Sequence, residues 1–362
     1  MKRPRILFVM HMPPPVHGAA VVGAQIRDSR LIQEEFECRF VNLSTSASLE
    51  DIGKGRLRKV FSILRILRDE WKELSHWKPD LVYVTPTSTL PALWKDFAVV
   101  RLARRKGCRV ILHFHNKGVA SRAGRWLDNW VYRILFRRVS VILLSSALKE
   151  DVLKYVPEEQ IYVCPNGLDF QLDESSTERS VPRLLFLSNL LVAKGVVDLL
   201  DACKLMMDRN ISFECCFVGA PTARLQEKDF KRMVRERGLE RIVTYEGPRY
   251  GKEKQRILRQ SDVFVHPTRE DCFPLVILEA MACGLPVVST EEGGIVDEVE
   301  DGVTGFLCRK GDPVSLASAV SQLLTDASLR ERMGQAGRER YKKLFTASCF
   351  ERRLAEILRA HV

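Results

Sequence analysis

The chain has 362 residues, of which 46% are hydrophobic and 28% charged, and its formal net charge is +11. That length exceeds one ordinary hydrophobic core and suits two domains of about 170 residues each. The composition is that of a globular protein, and no run approaches the ~18 apolar residues of a membrane-spanning helix. The apolar run Ile6–Met10 is too short for a signal-peptide core, and ten scattered cysteines suit reduced thiols, so we expect a cytoplasmic protein.

Apolar runs and amphipathic patterns alternate twice along the chain. In the first half the predicted strands are 5–10, 38–43, 80–84, 109–114 and 139–144, with helices near 19–34, 56–74, 89–106 and 122–138. In the second half the predicted strands are 183–188, 212–218, 241–245, 262–266 and 286–290, again with helices between them, and a last helical pattern covers 346–361. This alternation predicts an α/β protein with two doubly wound, Rossmann-like domains whose parallel sheets are covered on both faces. The polar stretch 169–182 predicts a linker between them.

Positive charge is concentrated in the first half of the chain. Residues 1–170 contain 28 Lys and Arg against 17 Asp and Glu, whereas residues 171–362 contain 29 of each. Such a basic half predicts an anionic partner: a membrane surface, a nucleic acid or an acidic substrate. Nucleic acid is the least favoured of the three, because no recognition module and no stacking platform is visible, and we expect none to bind.

Three basic segments in this half carry apolar residues at helical spacing. They are Arg56–Leu74, with apolar residues at 57, 60, 61, 64, 67, 71 and 74; the helix ending at Arg104-Arg105-Lys106; and Arg122–Arg138, with Trp126 and Trp130. Basic helices with aromatic residues suit an anionic membrane face. Alternatively, the apolar stripes pack on the domain's own sheet and the charges are simply solvated.

Two loops at strand ends in the first half are candidate ligand contacts. Strand 5–10 runs into Pro13–Ala20, where Gly18 permits close approach of the backbone to a phosphate or sugar, although a plain turn is an equal alternative. His113 and His115 follow another strand, and alternation places them on one face. We interpret His113 as a structural histidine and His115 as the candidate for function.

An acidic block in the second half joins a strand to a helix. Asp271 lies on the loop after strand 262–266, and Glu279 lies about one and a half turns into the following helix. Pro274 suits the first turn of that helix and Gly284 its C-terminal cap. A carboxylate here can hold a vicinal diol, while backbone N–H groups of the helix start face a phosphate. Lys194, which precedes a helix starting at Gly195, can reach a phosphate as a point charge.

Four motifs of the chain resemble those of the retaining GT-B glycosyltransferases of the group 1 type (glycosyltransferase family 4), and they occur in the family's order. The block Asp271–Glu279 is similar to the family's two acidic residues separated by seven. The other three motifs are Cys164–Asp169, Leu187–Val196 and Gly293–Leu307. The resemblance implies two domains facing a cleft: a basic acceptor-binding domain 1–168 and a nucleotide-sugar-binding domain 183–343. It also implies that segment 344–362 packs back on the first domain.

The resemblance implies a role for each matching residue. Glu279 would grip the ribose of the donor, Asp271 would contact hydroxyls of the transferred sugar, and His115 would lie beside the reacting sugar. Asn189 stands where the family usually has an arginine, so Lys194 would bear more of the pyrophosphate charge. The residues expected to take part in catalysis are His115, Asp271 and Lys194. The residues expected to bind the donor are Gly18, Asn189, Lys194, Asp271, Cys272, Phe273, Pro274, Leu275, Val276 and Glu279.

The expected activity is transfer of a hexosyl-type sugar, with retention of configuration, from a UDP- or GDP-sugar to a glycan or lipid-linked acceptor in cell-surface polysaccharide synthesis. No motif places a nucleophile, which favours a front-face mechanism in which the leaving phosphate takes the acceptor proton. The chain has no Asp-x-Asp, no phosphate-binding P-loop and no zinc-ligand spacing, so we expect neither metal nor cofactor.

Two alternatives remain open at this stage. A nucleotide-sugar epimerase or a phosphorylase could use the same architecture, since a fold does not fix a function. The chain could also be a catalytically silent subunit that binds nucleotide-sugar or membrane. Three departures from the family's pattern favour a catalytically silent subunit: Asp271 in place of Glu, Asn189 in place of Arg, and Val296 where the family often has Pro.

Overall fold

The computed structural model describes residues 3–15, 17–44, 56–170 and 180–362, and side chains of residues 56–59 are outside that description. The chain forms two compact units: unit 1 is Met1–Gly167 with Ala347–Val362, and unit 2 is Leu168–Thr346. Most of the predicted linker 169–182 lies outside the described residues. By sequence, unit 1 holds 31 Lys and Arg against 18 Asp and Glu, and unit 2 holds 26 against 28.

Unit 1 is built on a sheet of six parallel strands in the order β2-β1-β3-β4-β5-β6. The strands are β1 (Arg5–Met10), β2 (Glu37–Asn42), β3 (Leu81–Val84), β4 (Arg109–His113), β5 (Ser140–Leu143) and β6 (Ile161–Val163). Residues 6–10 of β1 and all of β3 are fully buried. Continuous apolar strands of this kind require helices on both faces of the sheet.

The helices of unit 1 cover that sheet. Up to residue 167 they are α1 (Gly18–Asp28), α2 (Arg30–Glu35), α3 (Arg56–His76), α4 (Leu93–Arg105), α5 (Val119–Arg122) and α6 (Trp126–Leu135). The single helix predicted over 19–34 is wrong, because Ser29 takes an extended conformation and breaks it. The Ser29 hydroxyl then accepts a hydrogen bond from the Ile32 N–H (3.3 Å) and caps α2.

Unit 2 repeats this architecture with the strand order β12-β11-β10-β7-β8-β9, again all parallel. The strands are β7 (Arg183–Leu187), β8 (Glu214–Val218), β9 (Val243–Tyr245), β10 (Val263–His266), β11 (Val287–Thr290) and β12 (Gly305–Cys308). The helices are α7 (Val196–Asp208), α8 (Glu227–Glu236), α9 (Gly251–Arg259), α10 (Leu275–Ala282), α11 (Ile295–Glu298), α12 (Pro313–Thr325) and α13 (Ala327–Leu344). The last helix of the chain, α14 (Ala347–Arg359), belongs to unit 1, where it packs on α2.

The prediction of two doubly wound parallel sheets is confirmed, and each of the ten predicted strands is present. Two edge strands, β6 and β12, were not predicted. In the described parts of the chain, no helix is both long and apolar enough to cross a membrane.

Candidate functional site

Strand order places the candidate residues of unit 2 at a single edge of its sheet. From β7 the chain moves to β8 and β9 on one side and returns to β10 on the other, so the order reverses between β7 and β10. Ligands of open α/β sheets bind beyond the carboxyl ends of the strands at such a reversal. The loop after β7 carries Lys194, and the loop after β10 carries Asp271.

A glycine allows these two loops to touch. Gly195 has a φ of +81°, and a Cβ built on it would lie 2.0 Å from the Pro267 carbonyl oxygen. The Arg269 N–H donates to the Ala193 carbonyl (2.8 Å), and the Thr268 hydroxyl donates to the same oxygen (3.2 Å). Only glycine tolerates both the left-handed backbone and the close contact. Lys194, in a short 3₁₀ turn immediately before Gly195, is thereby fixed beside the end of β10.

Asp271 is the centre of a polar cluster at this edge. Its Oδ2 lies 2.6 Å from Lys194 Nζ and 3.0 Å from His266 Nε2, and its Oδ1 accepts the Cys272 N–H (3.0 Å). Burial by itself raises the pKa of Asp271, but the contacts with His266 and Lys194 outweigh burial and hold that pKa well below its usual range. Asp271 is therefore a carboxylate at neutral pH, and His266 donates Nε2–H to it.

A second carboxylate supports the backbone of Asp271. The Asp271 N–H donates to Glu292 Oε1 (3.3 Å), and Glu292 Oε2 lies 2.5 Å from Lys310 Nζ. Gly293 has a φ of +56°, and a Cβ there would lie 2.5 Å from the Asp271 carbonyl oxygen. The glycine pair at 293–294 thus brings the loop after β11 against the acidic block.

Helix α10 begins where the block ends. Cys272 and Phe273 are buried, whereas Leu275 and Val276 of the first helical turn are half-buried. Pro274 was predicted in the first turn of this helix. The structure instead places it immediately before the helix, because its ψ of 114° is extended. The first N–H groups of a helix have no partner within it, so the start of α10 can bind an anion.

Glu279 lies on α10 with only 13% of its side chain exposed. Its Oε1 accepts from Lys254 Nζ of α9 at 2.6 Å, and its buried Oε2 has no partner among the described residues. Burial raises the pKa of Glu279, and the charge of Lys254 partly opposes this. One carboxylate oxygen is thus held by a cation, and the other has hydrogen-bonding capacity that no described residue uses.

Asn189 is placed differently from the residues around Asp271. It is exposed at the end of β7, and its Oδ1 accepts the Ala220 N–H (3.3 Å), which ties the loop after β7 to the loop after β8. Within the described residues no hydrogen bond joins Asn189 to Lys194 or to Asp271. The structure brings Lys194 and Asp271 together but gives Asn189 a separate partner.

In unit 1 the strand order reverses between β1 and β3. Gly18 begins α1 beyond the end of β1, is exposed, and has no atom within 4 Å of a Cβ built on it, so a ligand can approach this helix start. His11 begins the loop between β1 and α1, with Nδ1 3.3 Å from Thr85 Oγ1 beyond β3. Burial and then the charge of Lys95 lower the pKa of His11 to about 3, so its imidazole is neutral at pH 7.

His113 and His115 lie at the end of β4, with ring centroids 4.3 Å apart. His113 is fully buried and its Nδ1 lies 2.6 Å from the Tyr83 hydroxyl, which agrees with a structural role. Both ring nitrogens of His115 are buried without a partner among the described residues. Burial and then the charge of His17 lower the pKa of His115 to about 4. His115 is therefore a neutral imidazole with unused hydrogen-bonding atoms.

Sequence reasoning missed the partners of the predicted residues: His266, Lys254, Glu292 and Lys310. His266 had a signal, since it closes the apolar run of β10 next to a candidate loop. The sequence gives no such signal for Lys254 or Lys310, because nothing in it distinguishes them from the other lysines. Only the folded structure pairs them with Glu279 and Glu292. Throughout the described residues, no group of His, Cys, Asp and Glu gathers in a way that could hold a metal ion.

Comparison with known proteins gives two family profiles in chain order. The profile of Glyco_transf_4, described as Glycosyltransferase Family 4, matches residues 29–172. The profile described as Glycosyl transferases group 1 matches residues 170–340. A similar curated protein is the capsular polysaccharide biosynthesis glycosyltransferase CapM of Staphylococcus aureus, 26% identical over 231 residues, which are 59% of this chain and 59% of CapM. The chain therefore spans under two thirds of the length of that relative.

Two solved structures show the same fold along the whole chain. A glycosyltransferase from Rickettsia africae ESF-5 has a TM-score of 0.78 at 18% identity, covering 100% of this chain and 99% of its own. HepE from Anabaena, solved in complex with UDP, has a TM-score of 0.75 at 18% identity, covering 99% and 100%. At these identities the likeness establishes the architecture and leaves substrates open.

Proposed function

Since this chain belongs to the GT-B glycosyltransferases of the group 1 type, family 4, we propose that it transfers a hexosyl-type sugar from a UDP- or GDP-sugar to a glycan or lipid-linked acceptor. The reaction would serve cell-surface polysaccharide synthesis at the cytoplasmic face of a membrane. The observation that carries this proposal is the arrangement of Lys194, Asp271, Glu279 and the start of α10 at the strand-order reversal of unit 2. A cation, two carboxylates and a helix N-terminus suit one ligand that contains a diphosphate, a ribose and a sugar.

We assign the donor to unit 2. The free Oε2 of Glu279 suits the ribose diol, since a carboxylate accepts hydrogen bonds from two vicinal hydroxyls. Phe273, Leu275 and Val276 would offer backbone N–H groups to the phosphates, with Cys272 and Pro274 in the same loop, and Asp271 would accept hydroxyls of the transferred sugar. HepE was solved with UDP, which favours testing uridine donors first. Asn189 is proposed as a peripheral donor contact of unit 2, and Gly18 as a phosphate or sugar contact of unit 1.

The proposed chemistry is a front-face transfer with retention. The bond from the anomeric carbon to the phosphate oxygen breaks, the acceptor oxygen bonds to the same face, and its proton passes to the leaving phosphate. Charge grows on the diphosphate during bond breaking, and Lys194 together with the start of α10 would stabilise it. Lys194 Nζ lies 2.6 Å from Asp271 Oδ2, so this cation is already held at the sheet edge where we place the phosphates. No metal and no cofactor enter this scheme.

We assign the acceptor to unit 1, whose charge by sequence is far more positive than that of unit 2. His115 would hold a sugar hydroxyl, because its neutral ring offers one donor and one acceptor that no described residue uses. A basic unit suits an acceptor that carries phosphate, as lipid-linked sugars do.

The test is a screen of UDP- and GDP-sugars for thermal stabilisation and slow hydrolysis, with and without a chelator. We expect one donor to stabilise the parent and the exposed-surface control Glu240→Ala, but not Glu279→Ala, and hydrolysis to persist in EDTA. Product released with the donor's anomeric configuration would support retention. Binding without turnover in the presence of any acceptor would favour a silent subunit. No stabilisation by any nucleotide-sugar would refute the proposal.

A further inference from the structure

Helix α3 carries two apolar faces, and the described residues cover only one of them. Ile66 and Leu74 are buried on the side that packs into unit 1. Val60, Phe61, Leu64 and Trp71 are 52%, 70%, 57% and 48% exposed, respectively. At 100° per residue these four lie within about a third of the helix circumference, on a side separate from the buried one. Of the stripe predicted from periodicity, Leu74 packs in the core, whereas these four residues face outward; the side chain of Leu57 is outside the described part.

A groove runs beside this exposed face, between α3 and α4, with a volume of about 430 Å³. Its lining is partly apolar and partly basic. The apolar members are Leu67, Trp71, Ala98 and Leu102, and the basic members are Arg68, Arg101 and Arg105. Lys106 Nζ lies 5.2 Å from the centre of the Trp71 ring and adds a fourth cation. We call this feature, with the exposed face of α3, the α3–α4 surface.

Carboxylates of the described residues leave most of the positive charges around it unpaired. Burial and then the neighbouring charges of Arg137, Arg138 and Arg101 lower the pKa of Arg104. Among described residues, no ion pair is formed by Arg101, Arg105, Arg137 or Arg138. Arg68 forms an ion pair with the adjacent Asp69, and the two side chains are 75% and 43% exposed. An exposed pair of this kind is weak, so Arg68 can still bind another anion. Like charges crowded in this way favour an anionic partner, which would relieve their repulsion.

We propose that the α3–α4 surface docks on an anionic phospholipid bilayer, with lipid phosphates at Arg68, Arg101 and Arg105 and the side chains Phe61, Leu64 and Trp71 in the interfacial layer. This inference rests on the proposed function, since it places unit 1 where a lipid-linked acceptor is found. Charge complementarity selects the occupant. A soluble acidic glycan would explain the arginines but not the exposed apolar residues of α3. An apolar protein partner would explain those apolar residues but not the unpaired arginines. A bilayer of anionic lipids would explain both.

The expected size of the effect follows from the number of cations. A basic residue close to an anionic membrane contributes about fivefold to the partition coefficient at low salt, so three arginines contribute about 100-fold. At 0.15 M salt the screening length is about 8 Å, and only the residues nearest the surface still count.

The experiment is flotation of the full chain with vesicles of neutral phosphatidylcholine or of phosphatidylcholine with 30% phosphatidylglycerol, at 50, 150 and 500 mM NaCl. The two test variants are Arg68→Gln/Arg101→Gln/Arg105→Gln and Phe61→Ser/Leu64→Ser/Trp71→Ser. The matched control removes the same charge from exposed residues of unit 2 through Lys228→Gln/Arg235→Gln/Arg241→Gln. Melting temperature and nucleotide-sugar stabilisation are measured for each protein.

We expect the parent to float with the anionic vesicles alone, most strongly at 50 mM NaCl. The arginine variant should lose about 100-fold in partition, the apolar variant at least tenfold, and the control less than threefold. Indifference of the parent to phosphatidylglycerol, or an equal loss in the control, would overturn the proposal. The proposal would also be overturned if the parent bound a single-stranded oligonucleotide more tightly than the anionic vesicles and the arginine variant lost that binding. If nucleotide-sugar stabilisation persists while flotation fails, the docking proposal alone falls; if stabilisation fails while flotation persists, the donor assignment falls.

Discussion

Lys254 should decide whether Glu279 can bind a donor at neutral pH. The two side chains meet at 2.6 Å, with 26% of Lys254 and 13% of Glu279 exposed. Burial raises the pKa of Glu279, and Lys254 opposes that rise. In Lys254→Met the opposition is gone, so the pKa of Glu279 rises further and the group becomes a protonated acid over a wider pH range. A protonated acid has lost much of its capacity to accept hydrogen bonds from a ribose diol.

The magnitude lies between two limits. Removing one partner from a fully buried ion pair costs about 3–5 kcal/mol, and an exposed pair is worth about 0–1 kcal/mol. Because this pair is mostly but not fully buried, we expect a loss of about 2 kcal/mol, or ~30-fold in the Kd of the donor nucleotide. The loss should shrink as pH rises, because higher pH restores the carboxylate in the variant.

The assay is calorimetric titration of the nucleotide that stabilises the parent, at pH 6, 7.5 and 9. Lys254→Arg keeps a cation at the position and should bind within about threefold of the parent. Lys252→Met removes an exposed charge from the same helix and is the matched control. Adding Lys254→Met to Glu279→Gln should change the Kd little further, since Lys254 acts on binding through the Glu279 carboxylate. A Lys254→Met variant that binds like the parent at every pH would refute this reasoning.

The sheets of the protein were predictable because their strands are buried on both faces. Runs such as Ile6–Met10 and Val263–His266 are apolar throughout and bounded by turn residues, so they carry their own signal. Length alone does not explain the missed edge strands, because β9 is as short as β6 and was predicted. Strand β12 begins with Gly305, a residue that weakens a strand pattern and here lies close to the Val287 backbone. The break at Ser29 was missed for a different reason, since the apolar spacing continues through it.

The candidate site was predictable one residue at a time but not as an assembly. Asp271 and Glu279 share a short block, and the topology of a parallel sheet brings Lys194 to the same edge from 77 residues away. The pairing of Glu279 with Lys254, 25 residues apart on different helices, depends on how α9 and α10 pack. Periodicity within one element contains no information about that packing.

Helix α3 shows a further limit of periodicity. Apolar residues surround more than half of its circumference, so the sequence identifies an apolar stripe without saying which part of it meets the sheet. The structure buries Ile66 and Leu74 and leaves Phe61 and Leu64 exposed. Which face of α3 is buried and which is left for docking depends on where the neighbouring helix α4 packs, and the sequence of α3 does not contain that information.

Two further predictions concern the backbone and the histidines. Gly195→Ala places a Cβ 2.0 Å from the Pro267 carbonyl at a φ of +81°, so we expect a lower melting temperature and weaker nucleotide binding through displacement of Lys194. Gly238→Ala, with a φ of +67° and open space around it, should lose only the left-handed backbone cost of about 1–2 kcal/mol and leave binding unchanged; equal binding in both variants would contradict the argument. Burial lowers the pKa of His115 to about 4 in the folded chain, against about 6.5 when unfolded. Below pH 6.5 the unfolded chain therefore binds more protons, and stability falls as the pH falls toward 4. Between pH 8 and pH 5 this one group should cost about 2 kcal/mol, so the urea midpoint of His115→Asn should fall less over that range than the midpoint of the parent. The exposed-histidine control His76→Gln should follow the parent. If His115→Asn also follows the parent, the imidazole is not held neutral by burial.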